Sequence, residues 1–580
     1  MENKSNMPSN PQEFIDYVNT ETQKVLEMFS ATGGDDILSS FTQSWTDLAT
    51  RSWEDPSVWV RAIADYQTSQ MNLWKNLLSG NATANPVAEP IRGDRRFQAD
   101  EWSQNPVFDY IKQSYLLTSN LLNEMASKAN LSDNQQKQLE FYTQQYIDAM
   151  SPTNFALTNP EVLQQAMETK GESLVNGLKN LLGDLDKGRI SMTDESAFNL
   201  GENLAMTEGS VVFENEMFQL IHYKPTCAQV AERPTLIVPP CINKFYILDL
   251  QPHNSFVKYC VEQGQNTFLV SWLNPTAEQS HISWDDYVGD GVLKAVEVVN
   301  SIAGTEKLNA VAWCIGGTLL SSSLAVLAAR KQAPVASATF LTTLTDFQDP
   351  GDLCVFIDEQ QVKRLENKVN SNGILNGREL ATSFNMLRSN DLIWSYVVNN
   401  YLKGQTPPPF DILYWNGDST NLPASMYTYY INKMYLENKL AEKDGLTICG
   451  EKIDLGKVKI PVYFLSAIED HIAPWKGTFT GTELFKGNIE FVLGASGHVA
   501  GVINPASKNR RNYWTKGELG QGADHWLETA EKQEGSWWPH WSEWVKRRGG
   551  KKVDAPATCG SAEYAEIEPA PGRYVKAREA

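Results

Sequence analysis

The chain is short of cysteine, histidine and basic residues. Its 580 residues include 7 Cys and 7 His, and 50 Lys and Arg stand against 70 Asp and Glu. The cysteines, at 227, 241, 260, 314, 354, 449 and 559, are irregularly spaced and form no C-x-x-C. That excludes a disulfide framework and fits reduced thiols in the cytosol. No cluster has metal-ligand spacing, so no metal is expected. The formal net charge is −20. A chain this acidic does not bind nucleic acid through its bulk field, and an anionic substrate would need a locally basic mouth. No apolar run is long enough to span a bilayer. Nor does one follow the opening Met-Glu-Asn-Lys-Ser-Asn, so no signal peptide is expected. No P-loop or dinucleotide fingerprint lies in a strand-to-helix turn, and no cofactor is expected.

What is present falls into two parts. Residues 1–200 read as a helical domain, and residues 201–580 as an α/β catalytic domain. Ile15, Val18, Thr22, Val25 and Phe29 stripe a first helix. Trp59, Ile63, Tyr66, Trp74 and Leu78 stripe a second, and further helices are expected over 108–125 and 134–150. The stretch 79–90, rich in Ala, Asn, Gly and Pro, reads as a linker. From 203 onward short apolar strands alternate with helices: a hairpin at 211–223, strands at 235–238, 266–272, 308–313 and 335–343, and a helix over 284–302. This alternation predicts a mostly parallel sheet with helices on both faces. It stops at Asp346 and resumes near Ile460, so 346–456 reads as an inserted lid over the active site.

The strand at 308–313 ends at Cys314, two glycines follow, and then a long apolar segment at helical spacing. That is the nucleophile elbow of an α/β-hydrolase fold, with cysteine where serine is usual. Ala312 stands where a glycine is expected. Downstream, the strand at 460–467 runs into Glu469-Asp470-His471, and the strand at 489–493 into Gly497-His498. The order nucleophile, acid, histidine is that of α/β-hydrolases. Cys314, Asp470 and His498 are therefore the expected catalytic set, with Glu469 and His471 as adjacent rivals. Histidines 222, 253, 281, 525 and 540 have no comparable setting. The oxyanion hole is expected from the backbone N–H of Ile315 and one from the loop after 235–238, assigned to Ile242. Cys241 and Asn243 read as pocket wall. Arg388 is a basic candidate for the substrate mouth, and Ala500 for the acyl pocket.

Sulfur at the elbow selects the chemistry. An acyl group moved from one thioester to a cysteine stays activated, whereas a serine ester would dissipate that activation. Cysteine thus favours transfer or chain building over hydrolysis.

Several stretches then carry a family resemblance: Asp94-Arg-Arg-Phe97 with Trp102, Ser151-Pro-Thr-Asn-Phe155 with Thr158-Asn-Pro160, and Pro239-Pro-Cys-Ile-Asn-Lys-Phe-Tyr-Ile-Leu-Asp249. Trp272, Asn274-Pro275, Cys314-Ile-Gly-Gly317, Asn390-Asp-Leu-Ile-Trp394 and Tyr414-Trp-Asn-Gly-Asp418 continue it. Glu469-Asp-His-Ile-Ala-Pro-Trp475, Gly494-Ala-Ser-Gly-His498 and Gly535-Ser-Trp-Trp538 complete it. The chain resembles class I polyhydroxyalkanoate synthases after residue 90. The family's catalytic cysteine, aspartate and histidine fall on Cys314, Asp470 and His498. The resemblance implies polymerisation of (R)-3-hydroxyacyl-CoA, here with short-chain 3-hydroxybutyryl-CoA expected, with release of coenzyme A. Coenzyme A is then part of the substrate and a product, not a cofactor. The resemblance also implies a homodimer at the surface of cytoplasmic storage granules, where phasin-type proteins are further expected partners. The alternatives are a thioesterase or polyester depolymerase on the same fold, and a non-catalytic granule-coating protein suggested by the aromatic helices.

Overall fold

The computed structural model describes residues 57–79, 86–129 and 131–578. The helix expected over 15–29 and the centre of the 79–90 linker lie outside them. The chain forms two compact units. One joins the residues up to Asp194 to Thr382–Pro408; the other comprises Glu195–Ala381 and Pro409–Ala580. The insertion at 346–456 is therefore divided. Its middle packs with the helical unit, and its two ends belong to the sheet unit.

In the helical unit, Ser57–Leu78, Pro106–Ser127, Asp133–Ala149, Pro160–Glu168 and Glu172–Lys187 are helices. Two of them start on an Asn-Pro pair. The Asn105 side chain accepts from the Val107 N–H, and that of Asn159 from the N–H groups of Glu161 and Val162. The proline that follows has no N–H to leave unsatisfied. The stripe expected on Ser57–Leu78 packs only in part: Tyr66 joins the buried cluster around Leu73 and Trp102, and the Trp74 ring lies 5.3 Å from that of Tyr110. Ile63, Trp74 and Leu78 are exposed, whereas Ala62 and Leu73 are buried. Tyr66 Oη and Gln70 Nε2 reach Thr118 and Ser114 on Pro106–Ser127.

The sheet unit is built on one eleven-stranded sheet. In chain order its strands are β1 (Gly209–Glu214), β2 (Phe218–Tyr223), β3 (Thr235–Val238), β4 (Thr267–Trp272), β5 (Leu308–Trp313), β6 (Val335–Leu341), β7 (Val462–Ala467) and β8 (Ile489–Gly494). Three late strands follow: β9 (Asn512–Thr515), β10 (Glu531–Glu534) and β11 (Glu568–Pro569). The spatial order is β10-β9-β8-β7-β6-β5-β3-β4-β2-β1-β11. The run from β8 to β4 is parallel, and the pairings at both ends are antiparallel. β3 to β7 are buried along nearly their whole length, as a parallel sheet covered on both faces requires. The helix expected over 284–302 is present but interrupted by a π-helical stretch, Tyr287–Leu293.

The site is positioned by how closely the helix Ile315–Ala329 approaches the sheet. A Cβ on Gly316 would lie 2.5 Å from the Val238 carbonyl oxygen and 2.6 Å from that of Pro239. A Cβ on Gly317 would lie 2.1 Å from Thr343 Oγ1. Only glycine fits at either position. Ala312, the residue out of pattern at the elbow, faces no such limit. It pairs with Val238 and Phe340 and its methyl is part of the buried core. We expect Gly316→Ala to cost about 1–3 kcal/mol through overpacking. Ala312→Gly should change stability by only about 0.5–1 kcal/mol. Urea unfolding monitored by tryptophan fluorescence checks both. A fully stable Gly316→Ala protein would contradict this account of the elbow.

Candidate active site

Cys314 sits between β5 and its helix with φ 51° and ψ −126°, in a region that L residues rarely occupy. Strain of this kind costs on the order of 1–3 kcal/mol and persists only where the surroundings enforce it. Here the Cys314 N–H donates to the Leu341 carbonyl at 3.0 Å, and its own carbonyl accepts from the Gly317 N–H at 2.8 Å. The side chain is half-buried and stands at the N-terminus of a fifteen-residue helix, whose partial positive charge faces it. Ile315 is the first residue of that helix, so its N–H has no acceptor within the helix.

Asp470 follows β7 with a side chain that is 0% exposed. Its Oδ1 accepts from the N–H groups of Ile472 and Ala473, both at 2.9 Å. Its Oδ2 lies 2.7 Å from Nδ1 of His498. His498 opens the short helix His498–Val502 just after β8, and its ring is also hydrogen-bonded to the Cys314 side chain. With Nδ1 committed to the carboxylate, Nε2 is the nitrogen left for the sulfur. Burial disfavours the imidazolium. The Asp470 carboxylate, the Cys314 charge and the two hydrogen bonds outweigh it, and the His498 pKa is pushed up to about 10. Cys314, His498 and Asp470 therefore form one connected line, each held by a different strand end.

The rivals separate clearly. Glu469 is exposed, while Asp470 beside it is buried. His222 stacks on Phe268, its ring held between Asn266 and the Gly560 N–H, and burial pushes its pKa down to about 4. It is a packed histidine of the sheet. Cys241 is buried, and burial pushes its thiol well up, away from the range of a reactive thiolate. Ile242 and Asn243 lie in the loop after β3. The Ile242 carbonyl accepts from the Thr420 N–H, and Asn243 bridges Ser419. That loop is thereby tied to the later part of the insertion. Ala500 is on the same turn as His498, and its carbonyl accepts from Arg511. Arg388 belongs to the helical unit, where it pairs with Asp391 at 2.7 Å.

Two residues were not found from the sequence. Tyr430 immediately precedes the π-helical turn Ile431–Leu436 and Tyr435 lies within it, their rings 5.3 Å apart and perpendicular. Neither is sealed from solvent, but protein surrounds both densely enough that burial pushes their phenols up, and the charge on Cys314 adds to it. Phe347 packs edge-on against both. The insertion thus brings neutral O–H donors to the neighbourhood of the sulfur. The only sequence signal was the density of tyrosine over 427–435, which has no helical or strand period.

The raised His498 pKa carries a stability prediction. In the unfolded chain the pKa is about 6.5. The contribution to stability is therefore full below about pH 6.5 and is lost as pH rises through the folded value, about 10. The stability gap between the protein and His498→Gln should shrink over that window by on the order of a few kcal/mol. Urea titrations at pH 6, 8 and 10 measure it, and a gap independent of pH would contradict the assignment.

Residues 93–260 match the family described as Poly-beta-hydroxybutyrate polymerase (PhaC) N-terminus, and residues 234–505 match the alpha/beta hydrolase fold. A poly(3-hydroxyalkanoate) polymerase subunit PhaC from Cupriavidus necator is 48% identical over 511 residues, 87% of this chain and 86% of its own length. Proteins of the same name from Rhizobium meliloti and Rhizobium etli are 42% and 40% identical, over 90% and 93% of this chain and 86% of each relative. With its catalytic half in the α/β-hydrolase fold and a cysteine at the elbow, the chain belongs to the poly(3-hydroxyalkanoate) polymerase family.

Proposed function

We propose that this chain joins (R)-3-hydroxyacyl units, delivered as coenzyme A thioesters, into a poly(3-hydroxyalkanoate) chain carried on Cys314. The observation that carries the reading is a thiol at a strained strand-to-helix turn, in line with a histidine and a buried aspartate. His498 takes the Cys314 proton while Asp470 holds the ring and its charge. The thiolate attacks the thioester carbonyl, and the N–H groups of Ile315 and Ile242 hold the oxyanion. A carbon–sulfur bond forms to Cys314, the bond to coenzyme A breaks, and the coenzyme A sulfur takes the proton from His498. The hydroxyl of a second acyl unit, or of the chain end, then gives its proton to His498 and attacks the acyl-cysteine. An ester forms, and the Cys314 sulfur leaves and is reprotonated. Each thioester consumed drives one ester formed, so no other energy source is required.

Short-chain monomers, 3-hydroxybutyryl-CoA foremost, are the proposed substrates. The working form is proposed to be a homodimer at the surface of polyester granules, in company with phasin-type proteins. No helix among the described residues is long and apolar enough to cross a membrane.

Incubation with 3-hydroxybutyryl-CoA should release free thiol and raise turbidity together. Thiol release with only soluble 3-hydroxybutyrate would instead make the protein a thioesterase. Cys314→Ala should lower turnover by at least about a thousandfold. Asp470→Asn should cost on the order of a thousandfold in kcat by leaving His498 misoriented. Retention of activity in either variant would remove that residue from the mechanism.

A further inference from the structure

The acyl chemistry leaves one buried cation beside the site unused. Lys244 ends the loop after β3, two residues beyond Ile242, and is 3% exposed. Burial pushes its pKa down; the Asp418 carboxylate opposes this and the Arg578 guanidinium adds to it. Burying an ammonium is costly unless its protons are bonded, and an apolar side chain of similar size would avoid the cost. What the ammonium holds is therefore informative. Its Nζ donates to the backbone carbonyl of Ala577 at 2.6 Å, 333 residues further along the chain.

The segment that supplies this carbonyl is itself docked. Val575 is buried in the same apolar cluster as Tyr246, Tyr414 and Trp415. Arg578 lies over the Tyr414 ring, 4.9 Å from its centroid, and hydrogen-bonds the phenol. Trp415 Nε1 in turn donates to the Lys244 carbonyl at 2.7 Å, and Tyr246 Oη donates to Asp418 at 2.9 Å. Lys244 is thus fixed twice, its backbone by Trp415 and its side-chain end by Ala577.

Two further bonds hold the loop upstream of Lys244. Trp272 Nε1 donates to the Pro239 carbonyl at 2.9 Å, and the Thr420 N–H to the Ile242 carbonyl at 3.2 Å. Both fix carbonyls, and neither uses the Ile242 N–H. The peptide that carries that N–H therefore lies between anchors on either side, with Lys244 closing the downstream end. A displacement of about 1 Å in a group that meets the reacting atoms costs on the order of a hundredfold in rate.

We propose that Lys244 is a positioning residue for acyl transfer: anchored on the Ala577 carbonyl, it holds the loop so that the Ile242 N–H meets the oxyanion. The segment 575–578 is then part of the support of the active site. This role rests on the oxyanion function given to Ile242 in the proposed mechanism. It does not require that the acyl group come from coenzyme A or end in a polymer.

The test compares two reactions of Cys314 in the unaltered chain, in Lys244→Met and in a variant lacking residues 577–580. Acylation by 4-nitrophenyl butyrate moves the butyryl group to the sulfur, releases 4-nitrophenolate and passes through an oxyanion. Alkylation by iodoacetamide displaces iodide and forms no oxyanion; it is read on the Cys314 peptide by mass spectrometry. Both variants should acylate at least about tenfold more slowly and alkylate within about twofold of the unaltered protein. Combining the two changes should cost no more than the larger single one, because they break the same contact. With 3-hydroxybutyryl-CoA the loss should fall on kcat and leave KM unchanged. Unchanged acylation in both variants overturns the proposal. So does an equal fall in acylation and alkylation, or loss of the native circular dichroism in both variants, since either makes the contact a structural clamp alone. If only Lys244→Met fails to fold, the shortened chain decides. Polymer formation by the unaltered protein is assayed in parallel: its absence beside the expected split between acylation and alkylation would remove the polymerase reading and leave the role of Lys244 standing.

Discussion

The active site depends on one close approach, that of the helix Ile315–Ala329 to the ends of β3 and β6. At Gly316 and Gly317 the helix lies so near the Val238 and Pro239 carbonyls and the Thr343 side chain that no β-carbon fits. This approach holds Cys314 at a positive φ between a strand that cannot shift and a helix that cannot retreat. The thiol is thereby set at the helix N-terminus, with the Ile315 N–H beside it. The conformational strain, on the order of 1–3 kcal/mol, is met by the dense packing of the parallel strands around it.

The other two groups are placed by the same sheet. β7 and β8 are parallel neighbours in register from Val462 and Ile489 to Ala467 and Gly494. Residues a few positions beyond their ends must therefore emerge side by side, and Asp470 and His498 do, 2.7 Å apart. The buried carboxylate holds the imidazole proton at Nδ1 and leaves Nε2 for the sulfur. Sulfur chemistry supplies what this scaffold alone would not. An acyl-cysteine retains the activation of the incoming thioester, so the site can pass the chain to a hydroxyl. The insertion adds Tyr430 and Tyr435, whose phenols stay protonated and able to donate.

The meeting of Cys314, Asp470 and His498 was legible in the sequence because strand ends are. Short valine- and alanine-rich runs followed by glycine mark where a parallel strand stops, and catalytic residues sit at those stops. Ala312 was legible as an exception, and the structure shows why it is tolerated: the tight positions are the two glycines after the cysteine, not the residue two before it. Other features were hidden for definable reasons. β9, β10 and β11 are short, polar or at the sheet margin, and lack the apolar runs that identify buried strands. The π-helical stretches at 287–293, 390–394, 397–402 and 431–436 have no propensity signature of their own. Tyr430 precedes the last of these and Tyr435 lies in it, so their nearness to the sulfur was invisible. The division of the insertion between two units is a tertiary property that periodicity does not encode. On Ser57–Leu78, the large apolar residues predicted the packed face only in part: Tyr66 packs with Leu73, whereas Ile63, Trp74 and Leu78 stay exposed.

The central claim is that the growing chain is carried on the sulfur of Cys314, and the most direct measurement is of that bond. The protein is mixed with 3-hydroxybutyryl-CoA, quenched in acid during turnover, digested and examined by mass spectrometry. The account predicts that the peptide containing Cys314 is heavier by one or more 3-hydroxyacyl units, and that hydroxylamine removes them as it does a thioester. An unmodified Cys314 peptide during active polymer formation, or an acyl group found on another residue, would contradict it.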